Sequence, residues 1–190
     1  MEFGKYWPQI KEEYLIPKFT QMVEETDVWV KISNPHTSPI GKLEYEDLVR
    51  MTVEGLDSVL DFTVPHPDPK FVRSILQEGN YQGTEVFVLG DLYVDGWVCG
   101  VAYGSCTGCD TLQRCVDDYF DERYPEKRAF IISDLISLCM HILQSIKSIE
   151  VAALPGYLGV YGQKREDSGK YWSTEYRDIE PGFKMPERKL

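Results

Sequence analysis

The chain has 190 residues, enough for one domain that buries a hydrophobic core without disulfides or metal ions to hold it together. Its 31 acidic and 20 basic residues give a formal net charge of −11, which disfavours direct binding to nucleic-acid phosphates or anionic membranes. An N-terminal signal, a membrane-length apolar run and a disulfide pattern are all missing from the sequence, which therefore predicts a cytoplasmic protein with no nucleic-acid or membrane contact.

The N-terminal third of the sequence predicts helices separated by one strand. Apolar residues at helical spacing predict a helix that Pro17 interrupts: Trp7, Ile10, Tyr14 and Leu15, then Phe19, Met22 and Val23. The run Val28–Ile32 is typical of a strand, and a loop rich in Pro, Ser and Thr follows over residues 34–39. A stripe of apolar residues from Glu44 to Leu60 predicts an amphipathic helix.

The middle of the chain changes from helical to strand periodicity. After a proline-rich turn, Asp68 is suited to cap a short helix that would extend to Gln77. Glu85–Leu89 and Trp97–Tyr103 predict two antiparallel strands joined by a turn over Gly90–Gly96. In the second strand a two-residue period places four side chains on one face, namely Trp97, Cys99, Val101 and Tyr103.

Two helices are predicted after these strands. The first runs from Thr111 to about Tyr119, and Asp110 precedes it with capping-box spacing to Gln113. The second, Ala129–Ile149, carries a wide apolar stripe and is the strongest helical pattern in the chain.

These elements together define the expected fold class. The sequence predicts a single α+β domain over residues 1–180, in which a small antiparallel sheet packs against several helices. Tyr171–Tyr176 is a possible further strand, and residues 181–190 read as a polar C-terminal tail.

The most distinctive chemical feature is a Cys-x-x-Cys segment between the second predicted strand and the helix after it. It reads Tyr103-Gly104-Ser105-Cys106-Thr107-Gly108-Cys109-Asp110. The glycines permit tight backbone conformations, and unpaired N–H groups at a helix start favour a nearby anion such as a thiolate. The two-residue gap lets both sulfurs converge on one metal ion or on each other.

Three interpretations of Cys106 and Cys109 stay open. In a redox site Cys106 is the nucleophile and Cys109 resolves it; the order strand, Cys-x-x-Cys, helix resembles thioredoxin-like proteins, although a long helix here occupies the place of a further strand. In a zinc site both cysteines are ligands, and Cys99, Cys115 or His141 completes the set. In the third interpretation the thiols are small apolar groups packed beneath the sheet.

His141 lies off the apolar stripe of its predicted helix, on the side of Ser137 and Gln144, so a solvated or hydrogen-bonded ring is expected. The other two histidines, His36 and His66, fall in proline-rich loops. The sequence contains no Gly-rich phosphate loop, no Gly-x-Ser-x-Gly elbow and no His-Glu-x-x-His motif. No known catalytic set is therefore expected.

The segment Tyr103–Gln113 is similar to one found in small uncharacterised proteins of bacteriophages and other viruses, where it also follows an aromatic-rich strand. The run Asp134–Lys147 is similar to their downstream helix. The resemblance, which extends from Tyr81 to Lys147, implies a viral or mobile-element origin and a shared sheet-plus-helix core. It also implies that the two cysteines of the motif and His141 lie together, and it supplies no activity.

The sequence thus favours a non-catalytic acidic interaction protein, encoded by a phage or virus, that binds a host or viral protein in the host cytoplasm without a cofactor. Inhibition of a host defence complex is one version of this hypothesis. The expected motif comprises Tyr103, Gly104, Ser105, Cys106, Gly108, Cys109, Asp110 and His141. The alternative is a thiol-redox or zinc-binding protein in which Cys106 and Cys109 are the metal ligands.

Overall fold

A computed structural model describes residues 3–61, 63–78, 82–90, 96–104, 108 and 110–149. These residues form an α+β fold in which a four-stranded antiparallel sheet packs against helices, and this confirms the predicted class. The unit that they form ends at Ile149. The predicted boundary at residue 180, the tail and the possible strand Tyr171–Tyr176 all lie outside the described residues.

The chain begins with a helical path whose type changes along its length. A 3₁₀-helix, a short α-helix (α1), a π-helix and a longer α-helix (α2) span Phe3–Tyr6, Trp7–Gln9, Ile10–Leu15 and Ile16–Trp29. Pro17 lies in the first turn of α2, where its missing N–H is tolerated, and the widened π-helical turn precedes it. The expected interruption at Pro17 is therefore a change of helix type.

The predicted strand over Val28–Ile32 is wrong. The helix α2 continues to Trp29, and the N–H of Val30 still donates to the carbonyl of Thr26 at 2.9 Å. Phe19 and Thr26, seven residues and two turns apart, are both fully buried and hold this helix on the core. The strand preference of valine and isoleucine is overridden by that packing.

The helix α3 spans Tyr45–Val59, as predicted from its apolar stripe. The N–H of Glu44 donates to the carboxylate of Asp47 at 3.0 Å and closes the N-terminal turn. Its buried face comprises Tyr45, Leu48, Val49, Met51, Thr52, Val53, Gly55 and Leu56.

The helix expected between Asp68 and Gln77 is wrong beyond its first turn. Asp68 accepts a hydrogen bond from the N–H of Lys70 at 2.9 Å, but the turn that it caps is a 3₁₀-helix, Pro69–Phe71. The chain then enters strand β1, Arg73–Glu78, which pairs with the next strand. This segment forms a strand because β2 lies beside it and pairs with it. The local spacing of apolar residues does not reveal that partner.

The sheet has the order β1-β2-β3-β4, with every pair antiparallel. β2 and β3 span Gly83–Leu89 and Gly96–Tyr103, which confirms the two predicted strands. The middle of the predicted turn, residues 91–95, lies outside the described residues. The shared face of β3 is also confirmed, because Trp97, Cys99 and Val101 are buried and Tyr103 is half-buried.

Two further helices complete the layer beside the sheet. α4 spans Thr111–Phe120 and, after a 3₁₀-helix over Pro125–Phe130, α5 spans Ile131–Ser145. The long predicted helix is confirmed over α5, but its last residues instead form β4, Lys147–Ile149, which pairs with the start of β3. The buried stripe of this region comprises Ile131, Leu135, Ile136, Cys139, Ile142, Leu143 and Ile146.

One cluster of buried side chains joins the helices to the sheet. Phe19 of α2, Leu48 of α3, Phe87 of β2 and Leu135 of α5 are all fully buried within it. No helix among the described residues is long and apolar enough to cross a membrane.

Candidate functional site

Asp110 lies where β3 passes into α4, at the end of the Cys-x-x-Cys segment. Its Oδ1 accepts hydrogen bonds from the N–H of Gln113 at 2.9 Å and from the hydroxyl of Tyr45 at 3.0 Å. Its Oδ2 accepts from the N–H of Gly104 at 2.9 Å, and only 7% of the residue is exposed. The predicted cap is thus confirmed, and the same carboxylate also ties the two ends of the segment together.

Tyr45, the first residue of α3, is the third partner at this junction. Its hydroxyl donates to Asp110 and accepts a longer hydrogen bond from the N–H of Leu112 at 3.4 Å. Burial raises the pKa of Tyr45 above its usual range, so the hydroxyl keeps its proton and remains a donor. The junction therefore joins β3, α3 and α4 through one buried carboxylate.

An open cavity of about 380 Å³ lies over this junction. The carboxylates of Glu44, Glu85 and Asp110 line it, and no basic side chain does so in the described part of the chain. Glu85 already accepts a hydrogen bond from the hydroxyl of Ser74 at 2.6 Å. Such a lining disfavours anionic ligands, and two of its three carboxylates already serve the fold.

The structure places only some of the predicted site residues. Ser105, Cys106 and Cys109 lie outside the described residues, so the proposed zinc and redox pairs have no described geometry. Gly108 is exposed, and His141 is exposed on α5, away from its buried stripe as predicted. The proximity of His141 to the two cysteines remains a prediction.

The other three cysteines, Cys99, Cys115 and Cys139, are free and buried. Burial raises the pKa of the Cys99 thiol to about 12, that of Cys115 to about 11 and that of Cys139 to about 12. These thiols are therefore protonated at neutral pH, whereas metal ligands and nucleophiles are thiolates. The packing interpretation of Cys99 and Cys115 fits these positions, and no group of three or more potential metal ligands occurs among the described residues.

A second surface, which we call the α2 groove, is apolar and exposed. Val28 is 61% exposed, Trp29 is 40% exposed, and Ile32 in the turn just beyond them is 77% exposed. The groove has a volume of about 630 Å³, and its lining comprises Glu24, Glu25, Val28, Trp29, Thr37, Pro39 and Lys42. Exposed apolar side chains gathered at one place mark binding surfaces more often than isolated ones do.

The walls of the α2 groove are fixed by hydrogen bonds from the loop that follows α2. The indole N–H of Trp29 donates to the hydroxyl of Thr37 at 3.0 Å, and this hydroxyl donates to the carbonyl of Asn34 at 2.7 Å. The buried hydroxyl of Thr26 accepts from the N–H of Ile40 at 3.1 Å. A partner therefore meets a surface that is already ordered, which lowers the entropic cost of binding.

Charge around the α2 groove is mainly negative. Glu24 and Glu25 belong to its lining, Lys42 is the single basic residue there, and the last turn of α2 carries no basic residue. The formal charge of −11 lies within residues 1–149, which hold 24 acidic and 13 basic residues, while residues 150–190 hold seven of each. The acidic character of the chain therefore belongs to residues 1–149.

Sequence reasoning missed the α2 groove because it assigned Val28–Ile32 to a strand. A helical reading offers one signal: Phe19 and Thr26 lie on one face, so Val28 and Trp29 fall outside it. The position of the loop over residues 34–42 beside these side chains depends on tertiary contacts and has no local signal.

The fold and the two surfaces define an acidic α+β protein with a preformed apolar groove. Comparison with known proteins finds no matching family, no matching curated protein and no matching solved structure.

Proposed function

We propose that this chain is a non-catalytic, acidic interaction protein that binds a host or viral partner protein through the α2 groove. The observation that carries the proposal is the exposure of Val28 and Trp29 in a groove lining fixed by hydrogen bonds, with Ile32 exposed in the turn just beyond them. Exposing such side chains to water is unfavourable by about 25 cal/mol per Å² of apolar area, and a bound partner would recover that free energy.

Three buried thiols and the carboxylate of Asp110 already have structural roles in the described part of the chain. The thiols of Cys99, Cys115 and Cys139 keep their protons, because burial raises their pKa. The oxygens of Asp110 accept three hydrogen bonds from neighbouring elements. Binding through the α2 groove requires none of these groups.

The resemblance of the segment Tyr103–Gln113 and of the run Asp134–Lys147 to viral proteins supports a phage or viral origin. In that case the partner is a protein of the host or of the virus, and blocking a host defence complex is one consequence of binding. An acidic fold favours a protein partner over nucleic acid, because phosphate backbones bind to basic surfaces.

A thiol or zinc function centred on Cys106 and Cys109 is the alternative proposal. Its support is Asp110, which ties Gly104 to the start of α4 and so holds the flanks of the segment together. The carboxylate also accepts a hydrogen bond from the N–H of Gln113, so fewer unpaired N–H groups remain at the helix start to stabilise a thiolate. This favours a zinc site over a redox thiolate within the alternative.

Site-specific photo-crosslinking in a bacterial lysate tests the binding proposal. A photoreactive phenylalanine analogue replaces Val28, an exposed residue of the groove lining, in one variant and Phe71, an exposed apolar residue outside that lining, in a matched control. We expect a saturable crosslinked protein with the analogue at position 28 and none at position 71. Equal crosslinking from both positions, or none that excess unlabelled protein competes away, would contradict the proposal.

A further inference from the structure

We propose that the occupant of the α2 groove is a cationic amphipathic segment of the partner, in which a cluster of apolar side chains is flanked by Lys or Arg. This inference rests on the proposed binding function and specifies the chemistry of the partner. It follows from the floor of the groove, from the charges at its edge and from the charge of the whole fold.

The apolar side chains of the lining, Val28, Trp29 and Pro39, are called the floor of the groove, and they favour apolar contacts. The side chains of Val28 and Pro39 contain no polar atom. The one polar atom of the Trp29 side chain already donates a hydrogen bond to the hydroxyl of Thr37. A partner therefore gains little from hydrogen bonds at the floor and most from burial of apolar side chains. A volume of about 630 Å³ lies within the range of roughly 300–1,000 Å³ seen for ligand-binding clefts, and so accommodates several side chains.

The acidic residues of the lining, Glu24 and Glu25, are called the edge of the groove, and they favour a positively charged ligand. Glu24 and Glu25 are adjacent, exposed and near the C-terminal end of α2. Lys42 is the single basic residue of the groove lining in the described part of the chain, so the two carboxylates leave the lining with a net negative charge. In the described part of the chain neither forms an ion pair, and Glu25 accepts only the neutral amide of Gln21, at 2.7 Å.

A neighbouring carboxylate shows the contrast. Asp27, also near the end of α2, pairs with the guanidinium of Arg128 and accepts from the hydroxyl of Tyr119 at 2.6 Å. Its charge is therefore compensated within the fold, while the charges of Glu24 and Glu25 remain available to a ligand. The half-exposed indole of Trp29 adds a face that attracts cations.

The negative charge of the chain also distinguishes between possible occupants of the groove. A second copy of this chain would bring a fold of formal charge −11 against the acidic edge of the groove, and anionic ligands would meet the same repulsion. A basic segment meets an opposite field and associates faster at low ionic strength. Among possible occupants, a cationic amphipathic segment alone fits both the floor and the edge.

Binding of synthetic peptides by the full chain tests this inference. The first probe is a labelled peptide of about 14 residues, roughly four helical turns, that carries leucine on one helical face and lysine on the other. A second has glutamate in place of lysine, and a third has the first composition with the apolar face scrambled. Fluorescence anisotropy gives the Kd, and NMR shifts locate the binding through the indole N–H of Trp29.

We expect the first peptide to bind at least tenfold more tightly than the other two and to shift the Trp29 indole signal. E24Q/E25Q should weaken its binding about tenfold at low salt. The matched pair E12Q/E13Q removes two adjacent exposed carboxylates from the π-helical segment and should leave the Kd within twofold. Equal binding of all three peptides, or equal weakening by both double variants, would overturn the inference.

The outcome separates this inference from the function on which it rests. If a partner crosslinks at position 28 and E24Q/E25Q does not reduce the yield, the groove binds proteins but the partner is not cationic. If a second copy of the chain is crosslinked there, self-association replaces the proposed occupant. Absence of any saturable crosslink at position 28 removes the binding function itself.

Discussion

The hydroxyl of Tyr45 donates to the carboxylate of Asp110 at 3.0 Å, and this bond links the first residue of α3 to the N-cap of α4, 65 residues along the chain. The same carboxylate accepts the N–H groups of Gly104 and Gln113. A single buried side chain thus holds the end of β3 and the starts of two helices in place.

Asp110→Ala should destabilise the fold by about 2–4 kcal/mol. Loss of an N-cap costs about 1 kcal/mol. The hydroxyl of Tyr45 would also lose a buried acceptor, at about 1–3 kcal/mol, whereas water can replace the acceptor of the partly buried N–H of Gly104. Urea unfolding followed by circular dichroism measures the change in the free energy of unfolding. A loss below about 1 kcal/mol would show that the junction does not organise the fold.

Tyr45→Phe supplies the control for this junction. It removes one of three hydrogen bonds to Asp110 and should cost about 1 kcal/mol. In the double variant Tyr45→Phe/Asp110→Ala the orphaned hydroxyl is gone, so the combined loss should be smaller than the sum of the single losses. Additive losses would contradict a direct coupling between the two side chains.

Stability should fall as pH rises above about 9, because burial raises the pKa of Cys99, Cys115 and Cys139 from 9.0 to between about 11 and 12. Below pH 9 both states keep these protons, and the contribution of the thiols to stability is complete. Above it the unfolded chain releases protons that the fold retains, so each thiol lowers stability by up to about 1.4 kcal/mol per pH unit. Urea unfolding between about pH 8 and 10.5 measures the slope.

Cys139→Ala tests the assignment of this slope. The variant loses one titrating thiol, so its stability should decline less steeply with pH than that of the original chain, whatever its stability at neutral pH. The side chain of Cys139 is fully buried, and its hydrogen bond to Thr52 only partly offsets the effect of burial on its pKa. An unchanged slope would show that Cys139 is not a source of the decline.

Thiol reactivity should separate the buried cysteines from the motif. In Cys106→Ala/Cys109→Ala the three remaining thiols are buried and protonated, so a disulfide thiol reagent at neutral pH should react slowly with the folded protein and fully after unfolding. The difference in labelling between the wild-type protein and this variant then gives the reactivity of Cys106 and Cys109. Stoichiometric zinc in the wild type that disappears in the double variant would support the zinc alternative, and fast labelling of the folded variant would contradict the burial.

Elements with strong local signals could be predicted from the sequence. The run Glu85–Leu89 predicted β2, and period-two alternation predicted the shared face of β3. A continuous apolar stripe predicted α3 and α5, and the spacing of Asp110 and Gln113 predicted the start of α4. Each of these patterns is complete within one element, and each element has a face that must be buried. Tertiary context therefore agrees with the local preference.

Elements decided by distant partners could not be predicted in this way. Arg73–Glu78 and Lys147–Ile149 are strands because β2 and β3 lie beside them, and the second pairs with residues about 50 positions earlier. The candidate sites could not be predicted for the same reason. The link between Tyr45 and Asp110 spans 65 residues, and the exposure of Val28 depends on which face of α2 the core buries.

Gly55→Ala should destabilise the protein although alanine is the better helix former. Gly55 is buried in α3, and a Cβ there would lie 2.9 Å from Cγ2 of Ile10 and 3.1 Å from Cδ1 of Tyr14. Ile10 is fully buried, and Tyr14 is held by a short hydrogen bond to Glu54, so neither side chain can move away freely. Overpacking of this kind costs about 1–3 kcal/mol, which exceeds or cancels the gain of about 1 kcal/mol in helix propensity.

The control for this substitution is Gly4→Ala, because a Cβ at Gly4 meets no atom within 4 Å. Thermal unfolding of both variants should lower the Tm of Gly55→Ala and leave that of Gly4→Ala unchanged within about 2 °C. Gly55 then acts as the contact point at which α3 approaches the π-helical segment Ile10–Leu15 closely. A rise in Tm for Gly55→Ala would mean that the two helices have room for a methyl group and that helix propensity dominates at this position.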